Sequence, residues 1–201
     1  AALAAQRPGL DVIIVTTGTR STAEASLVTM PDSPIRSLKD LGGKKVAVTP
    51  GDPLGQLLQA VCKANNVDCA KINMVQVDPA AKVVTVLEKK TDALLGGADD
   101  QYFLIKYKGG NPVAMRYADW GANIVSMTIL TSGDTIKKHP DLVKRFVRAS
   151  VKSWEEAKKN PGAAVDAAMK VKPDINRQST LDQLMVDIEL LDSKNSRGRI
   201  G

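Results

Sequence analysis

The chain has 201 residues, 43% of them hydrophobic and 25% charged, which suits a globular protein with one good core or two small ones. It has no apolar run near the roughly 18 residues that a membrane-spanning helix requires. The formal charge is +6, but aromatics are only 3% and no basic stretch is interleaved with them, so nucleic-acid binding is unsupported and an anionic small molecule suits the charge better.

Ala1–Arg7 (AALAAQR) reads as the end of a helix already under way, with no initiating Met, N-cap or signal peptide. Lys194–Gly201 stops in polar sequence. The sequence is therefore expected to be part of a longer protein.

Asp11–Thr16 is a short apolar run of the buried-strand type. Residues 17–34 hold a second extended segment near Ala25–Met30 and then a crossing. Ser37–Leu41 predicts a helical turn capped by Ser37 and ended by Gly42-Gly43. Lys45–Thr49 is the next strand. Pro50-Gly51-Asp52-Pro53 turns it into a helix, with Asp52 as N-cap and Pro53 at the first helical position. Leu54, Leu57, Leu58, Val61 and Cys62 mark that helix's inner face.

Ile72–Val77 is a strand. Pro79 opens a helix expected to turn Ala80, Val83, Val84 and Leu87 inward. Asp92–Leu95 leads into Gly96-Gly97-Ala98-Asp99-Asp100. A helical segment near 101–107 follows, and Val113–Met115 is extended. This alternation predicts a parallel sheet with crossover helices. Ile124–Leu130 reads as a strand. Helices then cover Pro140–Lys159, Pro161–Val171 and Thr180–Leu191. The first of these should bury Leu142, Val143, Phe146, Val147, Val151 and Trp154. Its Lys144, Arg148 and Lys152 share one face, read as solvated.

In open α/β sheets ligands bind beyond the carboxyl ends of the strands. Thr49–Asp52, Asp78–Ala80 and Gly96–Asp100 would then lie along one edge. The start of the helix after Gly51 favours an anion, although Asp52 reads equally as a plain cap whose charge repels one. No GK[ST] follows, so this is not a Walker A loop. Asp99 and Asp100 are candidates for binding an amine or hydroxyl, or are solvated loop acids. Trp120 lines a cleft or fills a core. Cys62 and Cys69 are either buried thiols or a disulfide closing the helix-to-strand turn. With a single histidine, His139, neither a metal site nor a cofactor is indicated. No GxSxG, HExxH or Cys-His pair with family spacing occurs.

Four segments carry a resemblance. Ile35–Val48 (IRSLKDLGGKKVAV) resembles the IxSLKDLKGKKVAV signature of periplasmic binding proteins of the nitrate, sulfonate, taurine and thiamine-precursor type. Val77–Lys82 (VDPAAK), Asp134–Arg148 (DTIKKHPDLVKRFVR) and Asn160–Ala164 (NPGAA) are similar to later segments of that family, in the same order. Gly42-Gly43 in place of Lys-Gly, and the two cysteines, depart from the pattern.

The resemblance implies the type II periplasmic binding fold, with two Rossmann-like α/β lobes, a hinge and an interlobe cleft. Residues 1–35 would end the first portion of lobe 1 and make the crossing. Residues 36–122 would form lobe 2, and 123–201 would return to lobe 1. Hinges are expected near 29–36 and 112–124. The first lobe looks incomplete. Ligand contacts transfer to Thr49, Gly51, Asp52, Asp99, Asp100 and Trp120. The implied protein is a periplasmic or membrane-anchored monomer. It would deliver a small organic anion to an ABC-transporter permease in the inner membrane, without catalysis. The alternatives are an enzyme on the same fold, of pyrimidine-synthase or desulfinase type, and the effector domain of a transcription regulator.

Overall fold

Apolar runs of four to six residues alternate here with capped helices, and the computed structural model, which describes residues 12–17, 25–122 and 128–191, resolves them into two units. One spans Thr22–Ile124. The other joins Ala1–Ser21 to Val125–Gly201.

The first unit is built on a five-stranded sheet. β2 (Ala25–Thr29) is buried along its whole length. It is followed by a 3-10 turn, Leu38–Leu41, and by β3 (Lys45–Val48), α1 (Pro53–Ala64) and β4 (Asn73–Gln76). Next come α2 (Pro79–Leu87), β5 (Ala93–Gly97), α3 (Gln101–Lys106) and β6 (Val113–Arg116). The strand order is β4-β3-β5-β2-β6.

β3 runs parallel to β4 and β5, as the crossover helices require. The expectation of a wholly parallel sheet fails at β2, which is antiparallel to both β5 and β6. No crossover helix delivers β2 to the sheet, so the rule that fixes the direction of its neighbours does not act on it. Its hydrogen bonds make it part of the same sheet as the strands of residues 36–122.

Alternation along β2 divides the core. Ala25 and Leu27 point to one face with Val46, Leu95, Leu58 and Val61 of α1. Val28 points to the other with Ala47, Leu94 and Val83 and Val86 of α2. Cys62 in α1 and Cys69 are joined as a disulfide within the first of these clusters. α2 is rotated from the expected register. Val83, Val86 and Lys82 are buried, whereas Ala80 and Val84 are exposed. A nine-residue helix satisfies its spacing in more than one rotation, and packing on β3 and β5 selects this one. Residues 29–36, expected as a hinge, are held within this unit. Ile35 is fully buried, and the Arg36 guanidinium donates to the carbonyls of Pro31, Ser33 and Ile35.

In the second unit β1 (Val12–Thr17) pairs antiparallel with β7 (Thr128–Ser132). Residues 124–127, expected to begin this strand, and Asp11, expected to begin β1, lie outside the described residues. Helices α4 (Gly133–Lys138), α5 (Pro140–Lys159), α6 (Pro161–Val171) and α7 (Arg177–Leu191) follow. α7 starts earlier than expected, where the Asn176 side chain accepts from the Ser179 N–H at 2.9 Å. The expected inner face of α5 is corrected in part. Leu142 and Phe146 are each 53% exposed, and Val143, Val147, Val151 and Trp154 are half-buried. Among the described residues no helix is long and apolar enough to cross a membrane.

Candidate functional site

Because β3, β4 and β5 run in parallel, their carboxyl ends share one edge of the first unit's sheet. At the end of β3 the Asp52 N–H donates to the Thr49 carbonyl at 3.0 Å, closing the turn. Gly51 lies within it at φ 77°, a left-handed conformation that a side chain would strain. Asp52 caps α1, its Oδ1 accepting from the Leu54 N–H at 2.9 Å.

At the end of β5, Gly96 and Gly97 lack the side chains that would fill the edge. A Cβ on Gly96 would press on Gln101 and Leu94, and one on Gly97 would meet the carboxylates of Asp99 and Asp100. The Gly97 N–H donates to Gln101 Oε1 at 2.7 Å and to Asp100 Oδ1 at 3.0 Å. Burial, and then the charge of Asp100, push the Asp99 carboxyl above the usual carboxylate range. Burial pushes Asp100 up as well, opposed by hydrogen bonds from the Gln101 and Gly97 N–H groups and by the charge of Lys82.

Lys82 pairs with the first of these turns and its charge reaches Asp100 in the second, and sequence reasoning did not single it out as a site residue. Its side chain is only 4% exposed, and its Nζ lies 3.7 Å from Asp52 Oδ2. The available signal was a lone charge in an apolar helix, PAAKVVTVL, that opens just after a strand end. Two further residues were missed. Gln101 holds Gly97 as described. Ser26, fully buried, has a hydroxyl without a hydrogen-bond partner. It sits opposite Gly96 in the sheet, on the α2 face by alternation with Leu27.

Thr49, Gly51, Asp52, Asp99 and Asp100 thus belong to one sheet edge, with Lys82 paired to Asp52. Trp120 is occupied in packing. Its indole stacks on Tyr117 with centroids 5.8 Å apart, against the α1 core. Its carbonyl accepts from Asn65 Nδ2 at 2.8 Å, at the far end of α1. The buried Tyr117 hydroxyl donates to the Leu54 carbonyl at 3.4 Å. Burial and the nearby Asp52 charge push its pKa far up, so it stays a neutral donor. Among the described residues no cluster of three or more His, Cys, Asp or Glu could hold a metal ion.

The structure is similar to that of the periplasmic aliphatic sulphonate binding protein SsuA from Escherichia coli. The TM-score is 0.75 at 16% identity, covering 90% of this chain and 57% of that one. It is also similar to the alkanesulfonate-binding protein SsuA from Xanthomonas axonopodis pv. citri bound to MOPS, with a TM-score of 0.66 at 16% identity, covering 88% and 60%. A third similar structure is the ligand-binding component of an ABC-type import system from Staphylococcus aureus with zinc bound. There the TM-score is 0.64 at 13% identity, covering 92% and 62%. The chain therefore spans less than two-thirds of the length of each. No curated protein sequence matches it.

At such identities the likeness is one of fold, and the fold is the type II periplasmic binding fold expected from the sequence. The family model described as NMT1/THI5 like matches residues 1–164. The chain belongs to the NMT1/THI5-like family.

Proposed function

We propose that this chain is the solute-binding component of an ABC importer, or the larger part of it. In this reading it works outside the cytoplasm as a monomer. It captures a small organic anion, a sulfonate or carboxylate, at the edge formed by Thr49, Gly51, Asp52, Asp99 and Asp100. The observation that carries the reading is that one sheet edge gathers a helix start, a buried lysine and two polar turns.

The mechanism is binding and closure. The units Thr22–Ile124 and Ala1–Ser21 with Val125–Gly201 act as the two lobes, and the chain passes between them at 21–22 and 124–125. Solute docks on one lobe, closure shifts the population to the liganded form, and a membrane permease recognises that form. The sulfonate-binding proteins of like fold support the ligand class. An enzyme of desulfinase type needs a free thiol in a cleft. Cys62 is instead buried and disulfide-bonded.

The test is a thermal-shift panel of alkyl and aryl sulfonates, mono- and dicarboxylates, nitrate and pyrimidines, with each ligand recovered and analysed afterwards. A ligand at 100 times its Kd should add about 2.7 kcal/mol of stability. A strong shift from one anion class, with the ligand recovered unchanged, is the expected result. Chemical conversion of the ligand would favour the enzyme, and silence across all anions would overturn the ligand class.

A further inference from the structure

We propose that Lys82 is the anion anchor of this edge, the ammonium that meets the sulfonate or carboxylate of the solute, with Asp52 as its resting counter-ion. The inference rests on the solute-binding reading above and sharpens it to one residue and one charge.

Lysine is almost never fully buried unless it is paired, and Lys82 is 3% exposed. Its ammonium carries three donors and no acceptor. Among the described residues its ion pair is with Asp52 Oδ2 at 3.7 Å, beyond the reach of a hydrogen bond. Asp52 is not free to close that distance without cost, because its other oxygen holds the Leu54 N–H and caps α1. Among the described residues Lys82 has charge compensation without a hydrogen bond, and its three donors could serve a bound oxyanion.

The surroundings suit an oxyanion. Lys82 lies in α2, next to the strand-end turn of Thr49–Asp52 and within electrostatic reach of Asp100. An oxyanion seated on its ammonium would also lie at the start of α1, where the helix dipole adds to the attraction. One feature lowers the repulsion from nearby acids: Asp52 is already paired with Lys82. The expected ligand has a compact anionic head, and a neutral isostere of that head should bind poorly.

Calorimetry on the full chain tests this. The probes are butane-1-sulfonate, benzenesulfonate and butyrate, set against the neutral butane-1-sulfonamide and benzenesulfonamide. Wild type should prefer the anions. Lys82→Met should lose roughly 10- to 100-fold in anion affinity, the weight of a hydrogen bond to a charged group, while leaving sulfonamide binding unmoved. Lys82→Arg should retain part of the preference. Asp52→Asn preserves the cap but releases the counter-charge, so it should bind the sulfonates several-fold tighter.

If wild type binds a sulfonate and Lys82→Met keeps the same preference over sulfonamide, the anchor is wrong and the binding-protein reading stands. If Lys82→Met and Asp52→Asn weaken all probes equally, Lys82 is only a clip between the two turns, and the anchor again is wrong. A wild type that binds none of the anions removes both readings. Should Lys82→Met fail to fold, the opposite signs expected for Asp52→Asn and Lys82→Arg still decide.

Discussion

The two units treat an apolar helix face in opposite ways. In Thr22–Ile124, α1 and α2 lie on a five-stranded sheet, and Leu58, Val61, Val83 and Val86 are each below 5% exposure. In the other unit the described sheet is two-stranded, and α5, 20 residues long, leaves Leu142 and Phe146 half in water. At 1.5 Å per residue such a helix is about 30 Å long, and two short strands cannot cover it. Periodicity says that a helix has a face to bury. It does not supply the surface that buries it.

The largest test of this contrast is a pair of truncations. Leu94→Ala, in the fully buried centre of the sheet, should cost about 2–5 kcal/mol in urea denaturation. Phe146→Ala, although a larger deletion, should cost under about 1 kcal/mol because its ring is already exposed. Equal costs would mean that α5 is covered in solution and would erase the contrast.

Next in size is the disulfide. The Cys62–Cys69 bond closes a loop with a sequence separation of 7, for which chain entropy gives about 2–3 kcal/mol. Cys62→Ala with Cys69→Ala, or reduction, should lower the melting temperature by a corresponding amount. Hydrogen exchange should accelerate in α1 and leave α5 unchanged. Acceleration in α5 as well would show that the units do not unfold independently.

A smaller effect is expected at the charged edge. Asp52→Ala removes both the α1 cap and the partner of Lys82, at about 1–3 kcal/mol. Asp52→Asn keeps the cap and should cost less. If the two variants melt alike, the cap contributes nothing and Asp52 acts through its charge alone.

The smallest concerns pH. The Asp99 carboxyl is raised above its ordinary value of 3.8 by burial and by Asp100. A carboxyl raised on folding disfavours the native state while ionised. The penalty fades as pH falls through the folded value and is gone below the unfolded one. Asp99→Asn should therefore raise the melting temperature at pH 7, with the gain shrinking to nothing near pH 3. The exposed Asp32 and Asp166 are held below their ordinary values by Lys89 and Arg177. Their contributions have the opposite sign and are lost as pH falls. Because they are common to both proteins, the difference between wild type and variant isolates Asp99.

Much of the fold was legible. Val46, Ala47 and Val48 are a short apolar run held between Gly42-Gly43 and Pro50-Gly51, the pattern of a buried strand. Asp52-Pro53 combines a side-chain acceptor with a residue that has no N–H to leave unsatisfied, so the start of α1 could be read to the residue. The disulfide stayed open in the sequence, because seven residues of separation fit a bond and two separate thiols alike. The direction of β2 was hidden for a different reason. Strand direction depends on which neighbour is found in space, and an apolar run such as ASLVT pairs equally well either way. At the site, Thr49, Asp52, Asp99 and Asp100 were found because strand ends can be located from sequence. Lys82 was missed because a lysine in a helix is ordinarily solvated.

The sequence by itself thus determined the local elements, their caps and the family signature, since each depends on neighbours within a few residues. Tertiary structure alone decided the antiparallel placing of β2, the rotation of α2 that buries Lys82 beside Asp52, and the exposure of Phe146. These depend on which surfaces meet and on the low dielectric between them. A charge 30 residues along the chain from its partner acquires meaning only there.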